Sequence, residues 1–138
     1  MALKLRLVKG RRVLCEIPLS PREWSKDELT EELDRTEREF EDFHKLLEAM
    51  TNVNRVRMVR CLLEDDDFTM SFKEFMNGLG MNPKVIREHA MKLHRAGFLE
   101  SPDRGKYRLS ELGRFSCMMT GLAFRRILHI LKEECETC

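Results

Sequence analysis

The sequence of 138 residues lacks the features that mark several large classes of protein. No apolar run reaches the roughly 18 residues that a membrane-spanning helix needs. Residues 1–8 alternate charged and apolar side chains, unlike the continuous apolar stretch of a signal peptide. Gly-rich phosphate loops, nucleophile elbows and His-Glu zinc motifs are also absent. We therefore expect a cytoplasmic protein that is not an enzyme and uses no cofactor.

Cysteine is present in an odd number, five residues scattered among apolar segments, which fits a reducing compartment better than a disulfide framework. Cys15, Cys61 and Cys117 are expected in the core. Cys135 and Cys138 form a C-x-x-C pair, a spacing that can bind zinc or switch by oxidation. Because no second pair accompanies it, we predict no metal site and keep this pair as an alternative. The histidines do not share a face at ligand spacing and are interpreted as surface or interface residues: His44, His89, His94 and His129.

Charge of one sign does not dominate the chain, because its net charge is only +1. The distribution is uneven, however. Residues 1–21 hold five basic residues and one acid, residues 22–50 hold five and eleven, and residues 51–138 hold fifteen and twelve. An acidic segment thus separates two basic ones, and a near-zero total conceals a basic face of the kind that attracts phosphates.

The alternation of side chains predicts a β-hairpin in residues 1–21, folded around Gly10. Residues 22–50 are predicted as one long amphipathic helix from about Ser25 to Met50, because Ser25 and Glu28 fit a capping box. Its apolar residues alternate at spacings of four and three, as in a coiled-coil seam. Two interpretations stay open, an ordinary amphipathic helix packed on its own core and a helix that pairs two subunits. The seam residues are Leu29, Leu33, Phe40, Phe43, Leu47 and Met50.

Residues 51–109 are predicted as a winged helix-turn-helix. The first helix runs from about Arg55 to Glu64, and a short strand follows near Phe68. Ser71 with Glu74 caps the next helix, and Asn82 caps the third. Two strands then flank a turn at residues 102–105. The expected inward residues are Val56, Val59, Leu62 and Leu63 on the first helix, and Ile86, Ala90 and Leu93 on the third.

Residues 110–138 are predicted as a C-terminal helix capped by Ser110. From Phe115 to Leu131 it is apolar on nearly all sides, and such a helix must be buried. One small domain can hardly cover it, so we expect it to take part in dimerisation. The complete prediction of fold class is therefore mainly α with small β: a winged helix-turn-helix with an N-terminal hairpin, a long helix and a C-terminal dimerisation helix.

The predicted interface with DNA consists of the outward face of the third helix and the turn between the last two strands. A tight turn at residues 80–82 would project that helix into the major groove of duplex DNA. Arg and Lys bind guanine acceptors or phosphates, and Glu accepts from cytosine. The candidate DNA-binding residues are Lys84, Arg87, Glu88, Met91, Lys92 and Arg95 on the helix, and Arg104, Lys106 and Arg108 on the wing.

Three segments resemble winged-helix regulators. LLEAM (46–50) with NRVRMVRCLL (54–63) resembles the opening of ArsR-type regulators, and residues 82–99, ending in KLHRAGFL, resemble their recognition helix and strand entry. YRLSELG (107–113) resembles the wing exit of ArsR-like and MarR-like regulators. The resemblance covers about 70 residues and implies a homodimer that regulates transcription on pseudo-palindromic DNA. Metal-sensing members carry a cysteine pair on the helix that here spans Ser71 to Gly78, which has none.

The predicted function is therefore a DNA-binding transcriptional regulator acting as a homodimer on duplex DNA. One alternative is a winged-helix protein-protein interaction module without DNA binding, with the acidic helix as its main surface. Another is an autoinhibited switch in which the acidic helix shields the DNA-binding face.

Overall fold

A computed structural model describes residues 3–136, which are mainly helical with small antiparallel sheets. Two compact units are distinguished, one ending at Asp42 and one beginning at Phe43. The helices are α1 Lys26–Arg38, α2 Phe40–Ala49, α3 Val53–Glu64, α4 Phe72–Leu79, α5 Pro83–Arg95, α6 Glu111–Met118 and α7 Phe124–Glu136. The strands are β1 Lys4–Lys9, β2 Arg12–Pro18, β3 Thr69–Ser71, β4 Leu99–Glu100 and β5 Lys106–Leu109.

The predicted N-terminal hairpin is present as β1 and β2, which pair antiparallel with a register shift between Leu7 and Val8. Gly10 begins the connecting turn with φ of +62°, a conformation that glycine adopts without the steric cost of a Cβ. A short 3₁₀ turn, Pro21–Glu23, leads to α1. None of residues 3–42 is buried, so the apolar side chains of this unit lie at least partly in solvent.

The prediction of a single helix from Ser25 to Met50 is wrong, because the helix is interrupted at Glu39. Ser25 does cap the start, accepting a hydrogen bond from the Glu28 amide at 3.2 Å. Glu39 has φ of −95° and ψ of 9°, outside the helical region, and separates α1 from α2. Two local effects weaken the helix around Glu39. Thr36 Oγ1 donates back to the Glu32 carbonyl oxygen, and Glu37 and Glu41 place like charges at i,i+4.

Side-chain caps fix where the helices of the second unit begin. Ser71 and Glu74 form the predicted capping box at α4, and Gly80 ends that helix in the left-handed conformation with φ of +63°. Asn82 caps α5, and Ser110 caps α6. The three-stranded sheet has the order β3-β5-β4 and is antiparallel throughout. The element order from α3 is therefore helix, strand, helix, helix, strand, strand, helix.

The hydrophobic core of the second unit joins α3, α4, α5 and the sheet. Ile86, Ala90 and Leu93 of α5 are buried as predicted. The interpretation of Val56 as an inward residue is wrong, because Val56 is 41% exposed, whereas Met58, two residues later, is fully buried. The fully buried large side chains are Phe75, Phe98, Met58, Leu62, Ile86, Leu93, Leu109 and Val59.

The C-terminal segment begins at Ser110 as predicted but is not one regular helix, because a π-helical turn at Met119–Ala123 separates α6 from α7. Gly113 lies so close to the sheet that a Cβ there would be 2.6 Å from the Phe98 carbonyl oxygen. Beyond Cys117 no residue up to Glu136 is buried in the isolated chain. The isolated chain therefore does not bury this segment, although the sequence predicts a buried helix. Its large exposed apolar residues are Met118, Met119, Leu122, Phe124, Leu128 and Ile130.

Candidate nucleic-acid interface

Helix α5 presents one apolar and one charged face. Residues three and four apart lie on the same side of a helix. The buried side holds Ile86, Ala90 and Leu93. On the opposite side a central stripe of residues runs along the helix, with Arg87 beside it on one flank and Lys92 on the other. All six outward side chains predicted for this helix are exposed. The central stripe consists of Lys84, Glu88, Met91 and Arg95.

The start of α5 is fixed by Asn82 and Pro83. The Asn82 side-chain oxygen accepts hydrogen bonds from the amides of Lys84 at 2.8 Å and Val85 at 3.3 Å. Pro83 occupies the first turn, where its missing N–H would have no partner within the helix. With Gly80 closing α4 three residues earlier, the turn between α4 and α5 is short and defined by its own side chains. The direction of α5 is therefore set by local chemistry.

A chain of contacts ties the β4–β5 turn to α5. The Phe72 amide, at the start of α4, donates to the Gly105 carbonyl oxygen at 2.9 Å. The Phe72 ring in turn lies under the Arg87 guanidinium, whose Cζ is 5.1 Å from the ring centroid. This cation–π contact fixes Arg87 against the first residue of α4. The β4–β5 turn and the first half of α5 are thus linked through Phe72.

The β4–β5 turn exposes two of its three predicted cations. Gly105 has φ of +76°, and the Lys106 amide donates to the Asp103 carbonyl oxygen at 3.1 Å, which closes the turn. Within residues 3–136, no carboxylate lies at ion-pair distance from Arg104 or Lys106. Arg108 differs, because its guanidinium pairs with Glu100 on β4 at 3.1 Å. Its charge is therefore partly compensated within the sheet.

The cations of α5 likewise differ in whether a carboxylate lies at ion-pair distance. Lys92 Nζ lies 3.4 Å from a carboxylate oxygen of Glu48 on α2. In the part of the chain that the structure describes, Lys84 and Arg95 have no such partner. Both ends of the central stripe thus carry uncompensated positive charge, with Glu88 and Met91 between them. A polyanion with a regular repeat of charge is a fitting ligand for this arrangement.

A buried arginine beneath this surface was missed by the sequence analysis. Arg55 on α3 is 4% exposed. Its guanidinium donates to the carbonyl oxygens of Glu48 at 2.7 Å and Ala49 at 2.9 Å, and lies 3.2 Å from His89 Nδ1 on α5. It therefore fastens the end of α2 to α5. A signal was present, because Arg55 precedes Met58 and Leu62 at the spacing of the buried face.

His89 faces Arg55 from α5 and has an altered affinity for protons. Burial, and then the positive charges of Arg55 and Lys92, lower the pKa of the His89 imidazole below its usual 6.5. Glu88 opposes this shift weakly. With Nδ1 unprotonated, the neutral ring accepts the hydrogen bond from the Arg55 guanidinium. The other three histidines are exposed.

The cysteines do not form a site in the described residues. Cys117 is buried, and burial raises the pKa of its thiol to about 12. Burial also raises the pKa of the half-buried Cys61. The placement of Cys15 in the core is wrong, because its position in the two-stranded hairpin leaves it exposed. Cys135 is exposed, and Cys138 lies outside the described residues. Over residues 3–136 no three His, Cys, Asp or Glu side chains are grouped to hold a metal ion.

An apolar groove of about 430 Å³ lies on the second unit, between α3 and the junction of α6 with the π-helical turn. The groove adds to the exposed apolar surface of the C-terminal segment. Its apolar lining includes Val56, Val59, Leu63, Cys117, Met118 and Leu122. In a separate respect, no helix among residues 3–136 is long and apolar enough to cross a membrane.

The chain matches no model of a known protein family, and no curated protein matches it.

Proposed function

We propose that residues 53–109 form a winged helix-turn-helix and that the chain, as a homodimer, binds duplex DNA and regulates transcription. The observation that carries this proposal is the link through Phe72 between α5 and the β4–β5 turn, which both carry cations without carboxylate partners in the described residues. The order of elements from α3 to β5 is that of the winged helix-turn-helix, with α5 as the recognition helix and the β4–β5 turn as the wing. The resemblance to ArsR-type regulators has the same implication.

The dimensions of α5 suit the major groove. Its 13 residues span about 20 Å at 1.5 Å per residue. A helix with its side chains is about 10–12 Å wide, and the major groove is about 12 Å wide. The stripe of Lys84, Glu88, Met91 and Arg95 would then face the base edges. Arg and Lys donate to guanine, and a carboxylate accepts from the cytosine amino group, so the stripe has the chemistry to read sequence.

The wing is proposed to bind phosphates. Arg104 and Lys106 are exposed and lack carboxylate partners in the described chain, so they can bind phosphates without breaking an ion pair. Arg87 is fixed against Phe72 at 5.1 Å, which reduces the side-chain entropy that it would lose on binding. Lys92 and Arg108 would first have to leave Glu48 and Glu100. We therefore assign the larger share of binding to Lys84, Arg95, Arg104 and Lys106.

The homodimer is supported by apolar surface that the isolated chain leaves exposed. Phe115 on α6 is 68% exposed, and Phe124 on α7 is 59% exposed. Leu33 and Phe43, from the predicted seam, are 56% and 54% exposed. Large apolar side chains left exposed in such number favour a protein interface. Two-fold symmetry would also place two α5 helices on successive half-sites of a pseudo-palindromic duplex.

The proposal is tested by fluorescence anisotropy, titrating the full chain into a labelled duplex of random sequence over a range of salt concentrations. Binding should weaken linearly in a log–log plot, with a slope of about −0.9 for each phosphate neutralised. In the double variant Arg104→Gln/Lys106→Gln the slope should become less negative by about 1.8 per subunit. The control Arg22→Gln/Lys26→Gln removes two exposed cations that precede or begin α1, and it should keep the wild-type slope.

Two outcomes would contradict the proposal. Absence of binding at about 50 mM salt, where phosphate contacts are strongest, would exclude DNA binding and favour the protein-interaction module. Equal loss of slope in the wing variant and its control would show that net charge, and not this surface, governs binding.

A further inference from the structure

The N-terminal hairpin carries a second concentration of positive charge, far in sequence from α5. Lys9, Arg11 and Arg12 surround Gly10 at the end of the two strands; these three cations are called the basic tip. Lys9 and Arg12 are the last pair in the register of β1 with β2, so they lie directly opposite each other. All three are exposed.

The two ends of the hairpin differ in how their charge is compensated. At the open end, Glu16 lies between two cations, 3.1 Å from Lys4 Nζ and 2.8 Å from an Arg6 guanidinium nitrogen. Hydrogen bonds from Lys4 and Arg6 accordingly lower the pKa of the Glu16 carboxyl. At the basic tip, no carboxylate of residues 3–136 lies within ion-pair distance. The one acid of the hairpin therefore neutralises only the end away from the turn.

This arrangement is unfavourable for the hairpin alone. Like charges directly opposite each other destabilise an antiparallel pair, and an isolated two-stranded hairpin is already marginal in water. Gly10, with φ of +62° at the first position of the turn, keeps Lys9 and Arg12 in register. A ligand with closely spaced negative charges would remove the repulsion. Duplex DNA has such spacing, with one charge per roughly 1.7 Å of helix axis.

We propose that the basic tip is a second DNA-contacting element, which binds backbone phosphates of duplex DNA. This inference rests on the proposed function. A two-stranded ribbon fits a groove of duplex DNA, and the planar guanidinium forks of Arg11 and Arg12 match the geometry of phosphate oxygens. Such contacts add affinity without reading sequence. The basic tip therefore strengthens binding to all duplexes alike.

The test uses the full chain and the salt dependence of its binding to a random duplex. In the variant Lys9→Gln/Arg11→Gln/Arg12→Gln, the slope should become less negative by about 2.7 per subunit if each residue binds one phosphate. A matched control, Arg22→Gln/Lys26→Gln/Arg38→Gln, removes the same charge from exposed positions of the same unit. It should retain the wild-type slope. Circular dichroism checks that both variants keep the helical content of the wild type.

The outcomes separate this inference from the proposed function. A wild-type slope in the tip variant, together with a reduced slope in Arg104→Gln/Lys106→Gln, would overturn the second contact and leave the winged-helix proposal intact. Equal losses in the tip variant and its control would also overturn it, because net charge alone would then explain the effect. If the wild-type chain binds no duplex, both proposals fail. A fall of slope confined to the tip and wing variants supports both.

Discussion

Residues 49–117 and residues 118–136 contain apolar side chains in similar abundance, but they use them differently. In the first region Phe75, Leu62 and Ile86 are fully buried. In the second region no apolar side chain is buried, and most of them are exposed. Apolar periodicity therefore predicts a helix equally well in both regions, but it does not predict what covers the helix.

The same comparison extends to polar groups. Within residues 49–117, Arg55 is buried with three hydrogen-bonding neighbours, and Ser110 accepts from the Gly113 amide and donates to the Gly97 carbonyl oxygen. Buried polar groups whose hydrogen bonds are made within the protein favour a single arrangement of the core. Residues 49–117 are thus stabilised by their own contacts, whereas no apolar side chain of residues 118–136 is buried. We propose that a second copy of the chain covers these side chains.

The largest effect that would sharpen this comparison is the loss of a buried ring. Phe75→Ala should lower the free energy of unfolding by about 3–5 kcal/mol, because it leaves a cavity in the core. Phe124→Ala removes a ring that is 59% exposed and should change the free energy of unfolding by less than about 0.5 kcal/mol when the chain is monomeric. Urea unfolding at several protein concentrations measures both variants. The effect of Phe124→Ala should grow with concentration as dimers form, whereas that of Phe75→Ala should not.

A concentration-independent loss for Phe124→Ala, as large as that for Phe75→Ala, would break the comparison. It would show that the C-terminal segment is covered by its own chain.

A smaller effect is expected at Gly113, where α6 meets the sheet. Gly113→Ala places a Cβ 2.6 Å from the Phe98 carbonyl oxygen and should cost about 1–3 kcal/mol of unfolding free energy. The control is Gly78→Ala on α4, where a Cβ would meet no atom within 4 Å. It should stabilise by up to about 1 kcal/mol through helix propensity. Thermal unfolding of the two variants compares them, and a stabilised Gly113→Ala would contradict the close contact.

The smallest effect concerns the pH dependence of the core region. The pKa of His89 is lowered in the folded chain, so the unfolded chain binds the proton more readily. The stabilisation is therefore complete above the unfolded pKa, about 6.5, and is lost as pH falls toward the folded pKa. Urea midpoints measured from pH 7.5 downward should decline, and His89→Gln should reduce the decline. Identical pH profiles for the wild type and His89→Gln would count against the Arg55–His89 contact.

Local chemistry made part of this molecule predictable. The caps Ser71, Asn82 and Ser110 mark helix starts because each acts on amides within three residues. The buried positions Ile86 and Leu93 follow from helical periodicity for the same reason. The nine candidate interface residues were chosen from the outward face of one helix and one turn, and their contact with DNA stays a prediction.

Contacts between distant segments were not predictable in this way. The Arg87–Phe72 stacking, the Lys92–Glu48 ion pair and the burial of Arg55 depend on how helices pack. The break at Glu39 was missed because the apolar spacing continues through it. Exposure of Cys15 was missed because a hairpin pattern does not specify whether its apolar face is covered.

The central claim, that α5 and the wing form a DNA-binding surface, is tested most directly by mapping amide chemical shifts. Spectra of the ¹⁵N-labelled chain are recorded with and without a short duplex at low salt. We expect the largest shifts in residues 84–95 and 102–106, with smaller ones at residues 9–12. Shifts confined to other surfaces, or no shifts at all, would contradict the account.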